Sequence, residues 1–246
     1  MLASLLPGMR HLRTPFSLGV LCAFELWVFF GEKIPTRSEA DGLVKRLYSL
    51  AEISGRPIVV AALAFVLYLI GGVIRIPIAK LQYILDSALR KPAVLSRNSR
   101  WQLEEYAKGA FERRRETVDV DVKAGELSQK IVREFSEIRI SLIANHLDIY
   151  MEHDRLESEA ELRINLAIYS FPLLLSPTFV SSIGGLVGVF IAILLIENGR
   201  RSLKEANAIL VQAVIAGVVQ SPSYETELDK DMGAGTNISI TRRRRN

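Results

Sequence analysis

The side chains best suited to chemistry lie near the middle of the chain, at His146, Tyr150, His153 and Glu157. On one helix these positions fall near one face, because neighbours in the set are three or four residues apart. His153 and Glu157, one turn apart, could share a metal ion, but a catalytic zinc site needs a third protein ligand and an open position. Only His11 remains as a further histidine. We interpret the set as polar positions on a helix, and a metal-dependent membrane-bound enzyme is the weakest of three functional alternatives.

Glu25 is the second chemical signal, because it places a carboxylate at the centre of the apolar run from Phe16 to Gly31. A charge inside a bilayer is costly unless it is protonated, paired or facing water, so intramembrane acids indicate ion or proton pathways as well as buried hydrogen bonds. An ion channel, transporter or membrane-permeabilising effector that uses Glu25 is therefore the main alternative function.

Motifs of the common enzyme classes are absent from the sequence. Gly71-Gly72 and Gly184-Gly185 lie in apolar segments and lack the Lys-Ser/Thr of a phosphate-binding loop. There is also no nucleophile elbow and no metalloprotease helix. We predict a protein that is not an enzyme, with no catalytic, cofactor-binding or metal residues and no cofactor.

Apolar segments dominate the architecture of this chain of 246 residues, which has a mean hydropathy of +0.22. The run 57–74 carries no charge and is bracketed by Arg56 and Arg75, a pattern typical of a transmembrane helix. Together with a span at about 15–31, it predicts an amino-terminal transmembrane hairpin over residues 1–74.

A longer apolar run, Ile164 to Ile196, contains no Lys, Arg, His, Asp or Glu. As one helix it would be about 50 Å long, against a hydrocarbon core of about 30 Å. Pro172, Pro177 and nearby glycines favour a reversal near its middle. We therefore predict a hairpin of two short spans, at about 164–180 and 182–197.

The apolar stretch 206–219 is too short for a comfortable span, so we interpret it as a buried or interfacial helix that ends a membrane segment covering 164–220. In the alternative, 164–196 is one kinked span and 206–219 crosses back. The remaining residues, 221–246, are polar and basic and predict a disordered tail.

The distribution of Lys and Arg predicts the orientation. Most of the basic residues near the span ends fall on one side, which places the amino terminus, the central block and the tail in the cytoplasm. This predicts a multi-pass integral membrane protein with both termini cytoplasmic, in the inner membrane if the source is bacterial. Contact with anionic lipid is predicted for four cations after the second span, Arg75, Lys80, Arg90 and Lys91. The absence of a recognition motif argues against nucleic acid as a partner.

Between the hairpins, residues 75–163 predict a cytoplasmic helical domain. One helix is predicted over Leu127–Leu162, because apolar residues recur in heptads there. The first heptad series is Phe135, Leu142, Ile149 and Leu156, and the complementary series starts with Ile131 and Ile138. Asn145 and Glu152 interrupt the complementary series, so the pattern is only partly that of a coiled coil.

A second apolar stripe on the same helix consists of Ile140, Ile143, Leu147 and Met151. A helix that is apolar on two faces must be buried from two sides. The partners would be the preceding helix, which carries Leu103 and Phe111, and a second copy of the chain or a cytoplasmic protein. Before this helix, residues 117–122 alternate apolar and polar side chains and predict an extended linker, with a helix restarting near Gly125.

The sequence thus predicts an all-α fold: a polytopic helical membrane protein with a cytoplasmic, partly coiled-coil-like helical domain between two transmembrane hairpins. The function that agrees best with these features is non-enzymatic. We expect an oligomerising scaffold, sensor or anchor that couples the cytoplasmic helical domain to the lipid bilayer.

Overall fold

The structure is a computed structural model that describes residues 7–89, 95–113, 119–176 and 183–229. Across these residues the chain is helical and contains no strand, which confirms the predicted all-α class. The helices are α1 (Pro7–Phe30), α2 (Gly42–Ser54), α3 (Arg56–Ile74), α4 (Ile78–Leu89), α5 (Arg97–Arg113), α6 (Val120–Arg133), α7 (Phe135–Asn145), α8 (Leu147–Leu174), α9 (Ile183–Ile215) and α10 (residues 222–229). A short 3-10 helix, Gly31–Lys33, follows α1.

The chain forms two compact units. One, which we call the apolar unit, contains Met1–Leu89 and Glu157–Ser202, and the other, the charged unit, contains Arg90–Leu156 and Leu203–Asn246. Of the three junctions between the units, two fall inside helices, in α8 and in α9, and the third follows Leu89, the last residue of α4.

Three helical segments are long and apolar enough to cross a membrane: Leu12–Lys33, Arg56–Ile74 and Ile183–Ile215. The 19 residues of α3 make a helix of about 28 Å, close to the hydrocarbon thickness of about 30 Å. The first two segments coincide with the predicted spans at 15–31 and 57–74. Length and composition therefore indicate a membrane protein.

Two glycines let α1 and α3 pack closely against each other. A methyl group added at Gly19 would collide with the backbone carbonyl of Leu67, and one added at Gly71 would collide with that of Pro15. The two helices are antiparallel. Most of the large apolar side chains on them, including Trp27, are exposed. Apolar exposure of this extent is what a lipid-facing helix pair presents.

The part of α8 in the apolar unit packs antiparallel to the first part of α9. Gly199 of α9 lies against Ile164 of α8, and Gly188 lies against Leu174, at the end of α8. Residues 164–174 and 183–196 therefore lie in two packed helices, of which α9 is long and apolar enough to cross a membrane. Most of the connection between them, residues 177–182, lies outside the described residues.

Helix α9 differs from the prediction at its carboxyl end. The stretch 206–219 is not a separate helix, because α9 continues without a break from Ile183 to Ile215. The polar segment after Glu197 is rich in Arg, Lys, Leu, Ala and Glu, which favour helix, so the helix continues past the membrane-compatible residues. Leu210 and Val214, near the end of α9, are fully buried in the core of the charged unit.

The predicted single helix over Leu127–Leu162 is wrong. It is divided into α6, α7 and the start of α8, with non-helical backbone at His146 (φ −142°, ψ 63°) and a joint at Glu134. Neither joint contains Gly or Pro, so the local sequence gives no breaking signal. Ile131, Ile138 and Leu142, members of the two heptad series, are nevertheless buried, in the chain's own core.

The start of α6 also differs from the prediction. Residues 120–122, expected to be extended, form the first turn of α6, five residues before Gly125. Asp119 precedes the helix with a left-handed φ of 55°, and Asp121 forms an ion pair of 2.7 Å with Lys108 of α5. Packing of α6 on α5 therefore outweighs the short alternating pattern. The rest of the predicted linker, up to residue 118, lies outside the described residues.

Part of the predicted disordered tail is ordered. Residues 222–229 form α10, and Tyr224 is buried in the core of the charged unit, where its ring stacks on Tyr106 with centroids 4.3 Å apart. Residues 230–246 lie outside the described residues.

Candidate functional site

The histidine set does not assemble into a metal site. His146 lies at the joint between α7 and α8, whereas His153 is completely buried in the charged unit. Across the described residues, no group of three or more His, Cys, Asp and Glu side chains is arranged to hold a metal ion. The Tyr150 ring lies 6.4 Å from the His153 ring, centroid to centroid, and nearly parallel to it.

His153 is held in its neutral form. Burial lowers its pKa to about 4, and the nearby positive charge of Arg139 acts in the same direction. A neutral imidazole in a closed core is a packing residue that resists protonation. The buried neutral ring of His153 therefore contributes to the packing of the charged unit.

Glu25 lies on α1 in the apolar unit, half-buried. Its carboxylate accepts a backbone hydrogen bond from Leu173 of α8, and its Oε1 atom is buried without a hydrogen-bond partner among the described residues. Glu25 thus meets the end of α8, a contact that sequence reasoning did not identify.

The most connected polar site in the apolar unit joins the end of α3 to α8, and we call it the α3–α8 clamp. It consists of Arg75, Glu161, Asn165, Tyr169 and the backbone of residues 74–76. Arg75 donates two hydrogen bonds to the Glu161 carboxylate, one of 2.9 Å from its Nη2 atom and one from Nε. The hydrogen bonds to Glu161 raise the pKa of Arg75.

Asn165 forms the centre of the clamp and is fully buried. Its Oδ1 atom accepts from the Ile76 amide at 3.1 Å, and its Nδ2 atom donates to the carbonyls of Ile76 and Glu161, each at 3.0 Å. Tyr169 adds a hydrogen bond from its hydroxyl to the carbonyl of Ile74. Backbone groups left without partners where α3 ends are therefore satisfied by side chains of α8.

Sequence reasoning missed this clamp, although a signal for it exists. Pro77 prevents α3 from continuing, so the preceding backbone groups require outside partners. Asn165 and Tyr169 lie one turn apart in a largely apolar run. Their side chains can form hydrogen bonds, as partners for those backbone groups must. Which backbone they would reach depends on tertiary packing.

The clamp changes the expectation for anionic lipid. Arg75 is committed to Glu161, whereas Lys80 on α4 is exposed. The other two predicted lipid contacts, Arg90 and Lys91, lie outside the described residues.

In the charged unit, Glu134 joins three segments at once. It occupies the joint between α6 and α7, and its carboxylate accepts hydrogen bonds from the Ser221 hydroxyl at 2.6 Å and from the Ser223 amide at 3.0 Å. The Ser223 hydroxyl donates to it as well. A carboxylate at the amino end of α10 is favourable, because free amides and the helix dipole both point towards it.

The second apolar stripe of the sequence lies on the surface. Ile140 is 67% exposed, Ile143 45% and Leu147 56%, although their neighbours in the heptad series are buried. These three residues, which we call the exposed stripe, leave one side of α7 and the start of α8 uncovered. The helix was predicted to be buried on two sides, and among the described residues the chain buries one of them.

Comparison of the chain with protein-family models, with curated proteins and with solved structures finds no match.

Proposed function

We propose that the chain is a multi-pass membrane anchor and self-assembling scaffold for its charged unit, without enzymatic activity. The observation that carries the proposal is helix α8, one unbroken helix with residues in the cores of both units. Ile149 and Tyr150 pack against the core of the charged unit, whereas Ile164 and Asn165 are fully buried in the apolar unit. Because α8 contributes residues to both units, the same arrangement would also suit a sensor.

The exposed stripe supports self-association. Full burial of an exposed Ile or Leu side chain stabilises by roughly 1.5–3 kcal/mol, and these three, 45–67% exposed, would gain part of that on association. A second copy of the chain would cover the stripe with the same residues on both sides, as in a two-fold symmetric contact. A cytoplasmic protein partner would use the same surface.

The test is the oligomeric state of full-length protein in mild detergent, measured by light scattering during size-exclusion chromatography. We expect wild type to be oligomeric and the triple variant Ile140→Ser, Ile143→Ser, Leu147→Ser to be largely monomeric. Val122→Ser is the control, because Val122 is equally exposed on α6 but lies outside the stripe. A strictly monomeric wild type, or a triple variant that assembles like wild type, would overturn self-assembly through this surface.

In this proposal both termini face the cytoplasm, supported by the positions of Lys and Arg. Two exposed serines, Ser38 and Ser136, test the orientation as single cysteines in a chain whose own Cys22 is replaced by Ala. A membrane-impermeant thiol reagent added to intact cells should label the cysteine at position 38 and leave that at 136 unlabelled until lysis. Labelling of both positions before lysis would contradict the orientation.

Ion or proton conduction is the second candidate function, favoured by the buried Oε1 atom of Glu25. The assay is ion flux into liposomes that contain the purified protein. Conduction through this carboxylate predicts flux that falls strongly in Glu25→Gln and is unchanged in Glu32→Gln, at the exposed end of the same segment. Equal flux in wild type and Glu25→Gln would remove this candidate.

A further inference from the structure

Helix α2 has the composition of a helix that lies at a membrane surface. Leu43, Leu47 and Leu50 recur at helical spacing and are all exposed, whereas Lys45 lies on the opposite face and Arg46 at the border of the apolar face. Amphipathic helices with large apolar residues on one face and cations on the other lie in the interface between headgroups and acyl chains. The helix lies between the two predicted spans, 15–31 and 57–74.

The turn from α2 into α3 requires glycine. Gly55 has a φ of 78° and a ψ of 160°, a conformation that side-chain-bearing residues rarely adopt. Between the two helices lies an apolar cleft of about 550 Å³, a volume in the usual range for small-ligand pockets. Its walls include Leu47, Leu50 and Ala51 of α2 and Val59, Leu63 and Val66 of α3.

A cationic concavity adjoins this cleft. It is lined by Lys45, Arg46 and Ser49 and also by Asp41, whose carboxylate accepts a hydrogen bond from the Gly42 amide; Leu50 belongs to both surfaces. Within the part of the chain that the structure describes, neither cation is in an ion pair, whereas Arg37 nearby is paired with Glu52. An apolar cleft beside free cations matches a ligand with a hydrocarbon chain and an anionic head.

We propose that the cleft between α2 and α3 binds an acyl chain of an anionic phospholipid, whose phosphate contacts Lys45 and Arg46. The proposal rests on the membrane placement in the proposed function, because α3 then sets the cleft within the bilayer. This site is separate from the lipid contact predicted for Arg75 and Lys80, at the other end of α3. A second copy of the chain fits the cleft less well, since a symmetric contact would bring the same cations of both copies together.

The experiment uses the full chain reconstituted in phosphatidylcholine vesicles that contain a trace of phosphatidylglycerol with a photoactivatable acyl chain. Crosslinked peptides are identified by mass spectrometry. We expect labelling of the cleft at Leu47, Ala51 and Leu63. Val73 serves as the reference for non-specific lipid, because it is 86% exposed on the same helix, beyond the cleft.

Two kinds of variant test the site. Ala51→Trp, or Leu63→Trp from the other wall, fills the cleft and should abolish labelling there without changing it at Val73. Val73→Trp controls for the effect of an added ring on folding. Replacing both Lys45 and Arg46 by Gln should reduce cleft labelling by at least about fivefold, since one cation near an anionic membrane surface contributes about that factor. The same double variant should not change labelling by a phosphatidylcholine probe.

The outcomes separate the two proposals. The lipid site is overturned if Val73 is labelled and the cleft is not, or if the tryptophan and glutamine variants do not change labelling of the cleft. Neither result contradicts the membrane placement. Crosslinks between α2 helices of two chains would overturn the lipid site in favour of a second copy. Absence of labelling at both places means that the chain is not inserted, so the membrane placement itself fails.

Discussion

Close packing of α1 on α3 makes a sharp prediction for two adjacent glycines. A methyl group at Gly71 would meet the carbonyl of Pro15 and the amide nitrogen of Gly19, both backbone atoms that move only if the helices separate. A methyl group at Gly72 meets nothing within 4 Å. The variants Gly71→Ala and Gly72→Ala therefore each add one methyl group at adjacent positions. The methyl group at position 71 is placed in the interface between α1 and α3, and the one at position 72 in open space.

The magnitude follows from the difference between the two variants. Both gain helix propensity of up to about 1 kcal/mol, because Gly is replaced by Ala inside a helix. Only Gly71→Ala overpacks the interface, at a cost of about 1–3 kcal/mol or somewhat more. In a chain of this size each kcal/mol shifts the midpoint of thermal unfolding by about 2–4 °C, so Gly71→Ala should melt about 2–12 °C below Gly72→Ala.

The assay is thermal unfolding in mild detergent, followed by a thiol-reactive dye. Cys22 is the only cysteine and lies on α1, so the dye reports directly on loss of this helix pair. Gly188→Ala gives an intermediate case, because its methyl would meet the flexible side chain of Leu174 rather than backbone. If Gly71→Ala melted at or above the temperature of Gly72→Ala, the close approach of α1 and α3 would be refuted.

Three further predictions concern polar contacts. Asn165→Ala leaves the Ile76 amide without a partner and should lower the free energy of unfolding by about 1–3 kcal/mol, whereas Asn98→Ala on the surface should have little effect in the same thermal assay. Because the pKa of His153 is lowered to about 4, its neutral form stabilises the fold fully above about pH 6.5. As the pH falls from about 6.5 towards 4, the free energy of unfolding measured by urea titration should decrease by about 3 kcal/mol. His153→Gln should remove this pH dependence, whereas His146→Gln should leave it unchanged. Glu134→Gln should weaken the attachment of α10 and increase hydrogen exchange of residues 222–229, and an effect no larger than that of Glu137→Gln, its exposed neighbour on α7, would contradict the role of Glu134.

The helical class and the first two spans could be predicted from the sequence because the signals for them are local. Nineteen residues of α3, from Arg56 to Ile74, already have the length and composition that a bilayer requires, whatever they pack against. The buried heptad residues Ile138 and Leu142 were likewise identified as apolar positions on one helical face. Hydrophobic periodicity in the sequence thus indicates which face of a helix is buried.

Hydrophobic periodicity does not indicate whether that face is buried by the chain itself or by another molecule. The same Ile138 and Leu142 pack inside the chain's own core, so substituting them would test folding, and the exposed stripe is the proper test of assembly. The joints at Glu134 and His146 have helix-compatible residues, and α6, α7 and the start of α8 all pack on one core. Such breaks are set by tertiary contacts that no window of sequence contains.

The long apolar run from Ile164 to Ile196 and the carboxylate of Glu25 are in contact in the apolar unit. From Ile164 to the end of α8 at Leu174 the helix rises only about 16 Å, roughly half of the hydrocarbon thickness. In the proposed membrane placement this end lies away from water, so a polar side chain beside it would contact protein rather than solvent. The Glu25 carboxylate accepts the hydrogen bond of Leu173 there. The contact gives Glu25 a structural role beside the end of α8, and the flux assay with Glu25→Gln separates that role from conduction.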